Sequence, residues 1–86
     1  MQVPLAALTE PLRATLVGSD ATIERVITDS RLARPGALFV PLVAERDGHD
    51  FVAAALAAGA TAALSERGTD DLGLDHDARL LLVAHT

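Results

Sequence analysis

Five residue types are missing from this 86-residue chain: it has no cysteine, no tryptophan, no tyrosine, no asparagine and no lysine, so that all seven Lys and Arg residues are arginine. Without cysteine there is no disulfide, no thiol nucleophile and no thiolate metal ligand. Without lysine there is no Schiff-base amine, no lysine general base and no P-loop lysine to hold a phosphate. The sequence therefore excludes these sources of catalytic chemistry.

Basic charge and aromatic rings are also scarce. The formal net charge is −5, and the aromatic residues are Phe39 and Phe51 alone. Nucleic-acid-binding surfaces depend on basic stripes and often on aromatic rings that stack against bases. The composition therefore predicts no nucleic-acid partner.

Long hydrophobic runs are absent as well. The longest nearly apolar stretch runs from Phe51 to Leu64 and is interrupted by Gly59 and Thr61. It is shorter than the roughly 20 residues that a membrane-spanning helix needs. The first ten residues lack the basic and apolar regions of a signal peptide. We therefore expect a soluble, cytoplasmic protein with no membrane partner.

Half of the residues are nevertheless apolar, and most of these are Ala, Leu and Val. This content argues against disorder. Because each small side chain contributes little buried area, the core requires close packing of helix on sheet. A chain of this length has a thin core, and we expect its stability to be marginal.

The order of periodic segments predicts the fold class. The clearest helix begins near Asp50 and ends at Gly59, and a shorter one is predicted from Pro11 to Val17. β-branched or apolar segments predict strands at 23–29, 37–42, 60–65 and 80–84. The sequence therefore predicts one α/β domain over 1–86, with a small, mainly parallel sheet of three or four strands flanked by helices. The chain stops just after a strand, so we expect it to be truncated from a longer one.

Residues 27–64 carry an ordered set of short motifs. In chain order these are Asp29-Ser30-Arg31 after a strand, the turn Pro35-Gly36, the strand Leu38-Phe39-Val40, the helix start Asp47-Gly48-His49-Asp50-Phe51, and Gly59-Ala60. In sequence and spacing the set resembles the N-terminal, UDP-MurNAc-binding domain of the Mur ligases. The helix start is more similar to the family member that adds D-Ala-D-Ala than to the one that adds the third peptide residue.

The resemblance implies a three-domain, ATP-dependent ligase that extends the muramyl peptide. In the family the first domain holds the uridine end of UDP-MurNAc-peptide, the central domain binds ATP and Mg²⁺ through a P-loop, and the third helps to bind the incoming residue. This chain has no P-loop, and without one nothing in it can cradle the transferring phosphate. We therefore expect this chain to hold no cofactor and to have no ligase activity alone. For the parent ligase the resemblance implies ATP and Mg²⁺. The remaining domains of that ligase are the expected protein partners of this chain.

The resemblance also implies where the uridine nucleotide binds. Thr28 and Ser30 correspond to the segment that contacts uracil, and Ala44, Glu45 and Arg46 correspond to the loop near ribose and pyrophosphate. We call these five residues the uridine site. Short hydroxyl and backbone groups suit a uracil edge, and an arginine suits a phosphate. Many relatives have a glycine where this chain reads Val43-Ala44, which removes a position that allows close backbone approach.

Simpler interpretations stand beside these assignments. Asp29-Ser30-Arg31 is also typical of a capped turn with a local ion pair. For Arg31 we favour this structural role over a role as a phosphate ligand. His49 and the segment Asp75-His76-Asp77 are more typical of a helix start and a solvated loop than of metal sites. Two alternatives to the function stay open: the same domain of the ligase that adds the third, diamino residue, and a stand-alone α/β interaction module without ligand.

Overall fold

The computed structural model describes residues 2–41, 51–66, 68, 73–74 and 78–84. These residues form seven short strands, two short helices and two 3-10 turns. The strands are β1 (Val3–Pro4), β2 (Thr15–Val17), β3 (Thr22–Ile23), β4 (Arg25–Ile27), β5 (Ala37–Phe39), β6 (Ala62–Ser65) and β7 (Leu80–Leu82); the helices are α1 (Thr9–Leu12) and α2 (Val52–Ala57), and the 3-10 turns are Leu5–Leu8 and Ser30–Leu32.

A five-stranded sheet in the order β2-β7-β6-β5-β4 forms the centre of the domain. Strands β4, β5, β6 and β7 are parallel to one another, and β2 joins β7 antiparallel at one edge of the sheet. Strands β1 and β3 make a separate antiparallel pair. The α/β class and the mainly parallel sheet are confirmed. The sheet has one strand more than the three or four predicted.

The additional strand is β2, in a segment predicted to be helical. Helix α1 ends at Leu12 because Arg13 adopts a left-handed conformation (φ 52°) and the Ala14 amide turns back to the Thr9 carbonyl. The following Thr15–Val17 then pairs with β7 instead of continuing the helix. The prediction of a helix to Val17 is therefore wrong beyond Leu12.

The predicted strand at 23–29 is shorter and is divided at Glu24. The amides of Glu24 and Arg25 both donate to the Gly36 carbonyl, at 2.7 and 3.1 Å. Because two successive amides share one acceptor, the regular hydrogen bonding alongside β5 is interrupted at Glu24. Strand β3 therefore leaves the main sheet and pairs with β1. Only β4 continues alongside β5.

Side chains on the two faces of the sheet form two cores. On one face α2 packs Val52 and Ala55 against a cluster that contains Ile27, Phe39 and Leu80. On the other face Leu5 and Ile23 cover a second cluster, with Leu38, Ala62 and Leu81 from the sheet. Alternate residues of β5 thus serve opposite cores, as a strand covered on both faces requires. Within the described ranges, no helix is long and apolar enough to cross a membrane.

Candidate functional site

Two of the predicted uridine-site residues lie at the carboxyl end of β4. Thr28 is exposed and directly follows the strand, and Ser30 is half-buried as the first residue of the 3-10 turn Ser30–Leu32. In open α/β sheets, ligands bind outside the carboxyl ends of the strands. The structure therefore places both residues at the edge of the sheet where a ligand site is expected.

The neighbouring strand ends at the same place. Ile27 of β4 is in register with Phe39 of β5, and the Val40 amide donates to the Ile27 carbonyl at 2.8 Å. The chain that leads into residues 42–50 thus leaves the sheet beside Thr28. Ala44, Glu45 and Arg46 themselves lie outside the described residues, as does His49.

Asp29 organises the backbone of this edge. Its Oδ1 accepts the Arg31 amide at 2.9 Å, which caps the 3-10 turn. The Arg31 guanidinium returns to the same carboxylate, with Nε 3.0 Å from Oδ1 and Nη2 2.8 Å from Oδ2. The structure thus shows Arg31 in the local ion pair that we favoured, and Ser30 is held between the two partners of that pair.

This pairing changes the acidity of Asp29. The side-chain hydrogen bond from Arg31, aided by its backbone amide, lowers the pKa of Asp29 from 3.8 to about 2. The same bond raises the pKa of Arg31. Because a lowered pKa means that the folded state favours the carboxylate, the pair stabilises the turn above about pH 4. That contribution is lost as the pH falls towards 2.

We expect a ¹³C NMR titration of the Asp29 carboxyl to give a midpoint near 2. Replacing Arg31 with Gln should move the midpoint back towards the ordinary value, because the guanidinium hydrogen bonds and the positive charge are removed. Arg79→Gln is the matched control, since Arg79 donates to the Ser19 carbonyl elsewhere in the domain. An Asp29 midpoint that is the same with and without the Arg31 guanidinium would contradict this account.

Thr28 and Ser30 each bring a hydroxyl group to this edge. Within the described residues, neither the Thr28 nor the Ser30 side chain has a hydrogen-bond partner, although the Ser30 carbonyl accepts the Ala33 amide at 3.2 Å. Both hydroxyls can therefore donate to or accept from a ligand without breaking an internal bond to these residues.

A cavity of about 450 Å³ lies beside this edge. Its described lining comes from β4 and from the segment after Ser30, and consists of Arg25, Ile27, Arg31, Leu32, Ala33 and Arg34. We call it the arginine cavity. Neither Thr28 nor Ser30 is among these residues. The sequence analysis did not predict this site, although the concentration of arginine on both sides of Asp29 was a usable signal.

Comparison with known proteins gives the family. The chain is 46% identical over 71 residues to the UDP-N-acetylmuramoyl-tripeptide–D-alanyl-D-alanine ligase of Escherichia coli, a match that covers 81% of this chain and 16% of that relative. The structure of MurF from Acinetobacter baumannii superposes with a TM-score of 0.79 and 28% identity, over 98% of this chain and 18% of the other. The chain belongs to the Mur ligase family.

The similarity extends to a second kind of Mur ligase. The UDP-N-acetylmuramoyl-L-alanyl-D-glutamate–2,6-diaminopimelate ligase of Bradyrhizobium diazoefficiens is 40% identical over 65 residues, which cover 64% of this chain and 13% of that protein. No protein-family model matches the chain. The chain spans less than a fifth of the length of each of these relatives.

This Mur ligase chain lacks the residues with which a P-loop holds ATP, and its described residues offer no set of metal ligands. The sequence contains no lysine and no P-loop. The described residues contain no group of three His, Asp or Glu side chains that could hold a metal ion; Asp75-His76-Asp77 lies outside them. No phosphoryl-transfer step is therefore derived from these residues.

Proposed function

We propose that this chain recognises the uridine end of UDP-MurNAc-peptide as the N-terminal domain of a cytoplasmic, ATP-dependent peptidoglycan-precursor ligase. The ligase is the one that adds D-Ala-D-Ala. The remaining domains of that ligase supply the ATP and Mg²⁺ site. The observation that carries the proposal is the Ser30 hydroxyl, which lies at the carboxyl end of β4 without a partner among the described residues.

Three features support a nucleotide at this edge. The relatives are named for uridine-nucleotide substrates. The two strand ends that lead to the uridine site are adjacent and in register. The Asp29–Arg31 pair fixes the backbone on both sides of Ser30, so that little conformational entropy is lost when a ligand binds there.

The uridine site is tested by Ser30→Ala in the 86-residue chain. We expect UDP and UDP-MurNAc-tripeptide to bind at millimolar concentration, because one domain supplies only part of the pocket. Loss of one hydrogen bond should weaken binding about two- to tenfold. The melting temperature should stay nearly unchanged, since the hydroxyl bonds to no described residue. NMR titration and thermal melting measure the two quantities.

Ser19→Ala is the matched control. Ser19 is exposed and follows β2, whose carboxyl end pairs with the start of β7, so it lies at the opposite edge of the sheet from Ser30. It should change neither quantity. Absence of any shift with millimolar UDP or UDP-MurNAc-tripeptide would favour the stand-alone interaction module. Unfolding by Ser30→Ala without a specific effect on binding would reduce Asp29-Ser30-Arg31 to a structural turn.

The ligase that adds the third, diamino residue is the second candidate. The 40% identity to the diaminopimelate ligase of Bradyrhizobium diazoefficiens supports it. The two ligases share the uridine end of their substrates, so binding of UDP does not separate them. An assay of the full-length ligase with each acceptor does, because only the matching amine is consumed with ATP.

A further inference from the structure

The arginine cavity lies between β4 and the chain segment that follows Ser30. Arg25 and Ile27 form one wall, and Leu32 and Arg34 belong to the other. The Arg25 Nη1 donates to the Pro35 carbonyl at 2.8 Å, which ties the two walls together. The Arg34 carbonyl accepts the Ala37 amide at 3.1 Å, which anchors the second wall to β5. The cavity is therefore preformed by hydrogen bonds of the fold.

Among the described residues, the lining of this cavity carries more positive than negative charge. The Asp29 carboxylate binds Arg31 closely, and Glu24 lies 3.4 Å from the Arg25 Nη2. Within the described part of the chain, the Arg34 side chain has no hydrogen-bond or ion-pair partner. Three arginines thus line the cavity in the described residues, and the Glu24 and Asp29 carboxylates pair with two of them, which leaves Arg34 as the excess cation on a chain whose formal net charge is −5. Such a local excess attracts an anion.

The cavity also has an apolar part. Ile27 is buried and Ala33 is half-buried, and both pack into the core on the α2 face. Leu32 is 61% exposed, the most exposed of the large hydrophobic side chains described. An inorganic anion uses none of this apolar surface. A ligand with an apolar body and an anionic group would bury Leu32 and contact the guanidinium groups at the same time.

We propose that the arginine cavity binds a small phosphate monoester with an apolar body, at a site separate from the uridine site. Arg34 supplies an unengaged guanidinium, and Arg25 and Arg31 keep N–H groups that their bonds to Pro35, Glu24 and Asp29 do not use. Donors from two walls suit the several terminal oxygens of a phosphate monoester better than a planar carboxylate, which one arginine fork can satisfy. A volume of about 450 Å³ lies within the range of small-molecule sites. Arg34 is the principal phosphate contact, because its side chain is not engaged by any described residue.

Phenyl phosphate is the probe, with inorganic phosphate for comparison, and binding is followed by NMR titration of the 86-residue chain. We expect phenyl phosphate to bind more tightly than inorganic phosphate, with shifts at Leu32 and Ala33. Arg34→Gln should weaken phenyl phosphate about tenfold. Leu32→Ala should weaken phenyl phosphate and leave inorganic phosphate unchanged. Arg13→Gln removes the same charge from a residue that does not line the cavity, and it should change neither affinity.

Failure of phenyl phosphate binding can be distinguished from failure of UDP binding at the uridine site. If the sites are separate, Ser30→Ala leaves phenyl phosphate binding unchanged, and Arg34→Gln leaves UDP binding unchanged. Displacement of phenyl phosphate by UDP, or an equal effect of Arg34→Gln on both ligands, would overturn the proposal and assign the cavity to the uridine site. An equal loss of phenyl phosphate affinity in Arg13→Gln and Arg34→Gln would also overturn it, because binding would then depend on the net charge of the domain and not on this cavity.

Discussion

Replacing Phe39 with alanine is expected to remove most of the domain's free energy of unfolding. Phe39 is 2% exposed on β5 and is among the largest fully or nearly fully buried side chains described. It belongs to the cluster under α2, in which four of the eight buried residues are alanine. Truncation of a buried phenylalanine typically costs about 3–5 kcal/mol. Small domains have total stabilities near the lower end of about 5–15 kcal/mol.

Phe51→Ala is the control with the same change in chemistry. Phe51 is 37% exposed and directly precedes α2, so less apolar surface and a smaller cavity are involved. Urea unfolding followed by circular dichroism measures both variants. We expect the midpoint to fall much further for Phe39→Ala than for Phe51→Ala. Equal losses would mean that the cluster beneath α2 is not the main source of stability.

The parts of the fold that were predicted correctly are those with strong local signals. The alanine-rich segment before Gly59 is helical, and Gly59 has the positive φ of 112° that a helix C-terminus favours. The apolar segments at β5, β6 and β7 are strands buried in the sheet. In each case propensity, length and flanking residues all favour the same structure, so no long-range contact was needed to decide it.

Strand β2 could not be predicted in the same way. Leu12, Leu16 and Val17 are spaced as on one face of a helix, and a segment this short fits either type of structure. Two facts outside that pattern decide the outcome: the left-handed backbone of Arg13 and the pairing of Thr15 with Leu82. The second joins residues far apart in the sequence. The local sequence pattern does not predict this pairing.

The two candidate sites differ for a similar reason. Ser30 follows a predicted strand, so its place at the carboxyl edge of the sheet follows from the motif alone. The arginine cavity depends on residues 31–34 folding back towards β4, and on the Arg25 bond to the Pro35 carbonyl. Because that contact is tertiary, the sequence shows the arginines without showing that they share a cavity.

Replacement of Gly18 with alanine is the second change with a large expected effect, because two penalties coincide there. Gly18 has a φ of +89°, a conformation that side chains with a Cβ rarely adopt. An added Cβ would lie 2.9 Å from the Ala78 carbonyl oxygen and 3.4 Å from the Arg79 Cα. These neighbours are backbone atoms of the two residues that precede β7, and they cannot move aside as a flexible side chain can.

The expected loss is roughly 2–4 kcal/mol, from about 1–2 kcal/mol of backbone strain and a similar amount from the steric overlap. Relief of the overlap requires β2 to move away from β7, and Leu16 and Val17 of β2 pack on the two cores. Both cores are therefore disturbed by one added methyl group. Thermal melting of the variant should show a fall in melting temperature of roughly 10 °C or more.

Two other glycines separate the two penalties. Gly73 has a φ of +67° but no atom within 4 Å of an added Cβ, so Gly73→Ala measures the backbone strain alone. Gly68 has neither feature, and Gly68→Ala should be neutral or slightly stabilising, because alanine restricts the unfolded chain. The expected order of melting temperatures is Gly68→Ala highest, then Gly73→Ala, then Gly18→Ala. If Gly18→Ala melts no lower than Gly73→Ala, the close contact between the end of β2 and the start of β7 is not a constraint on the fold.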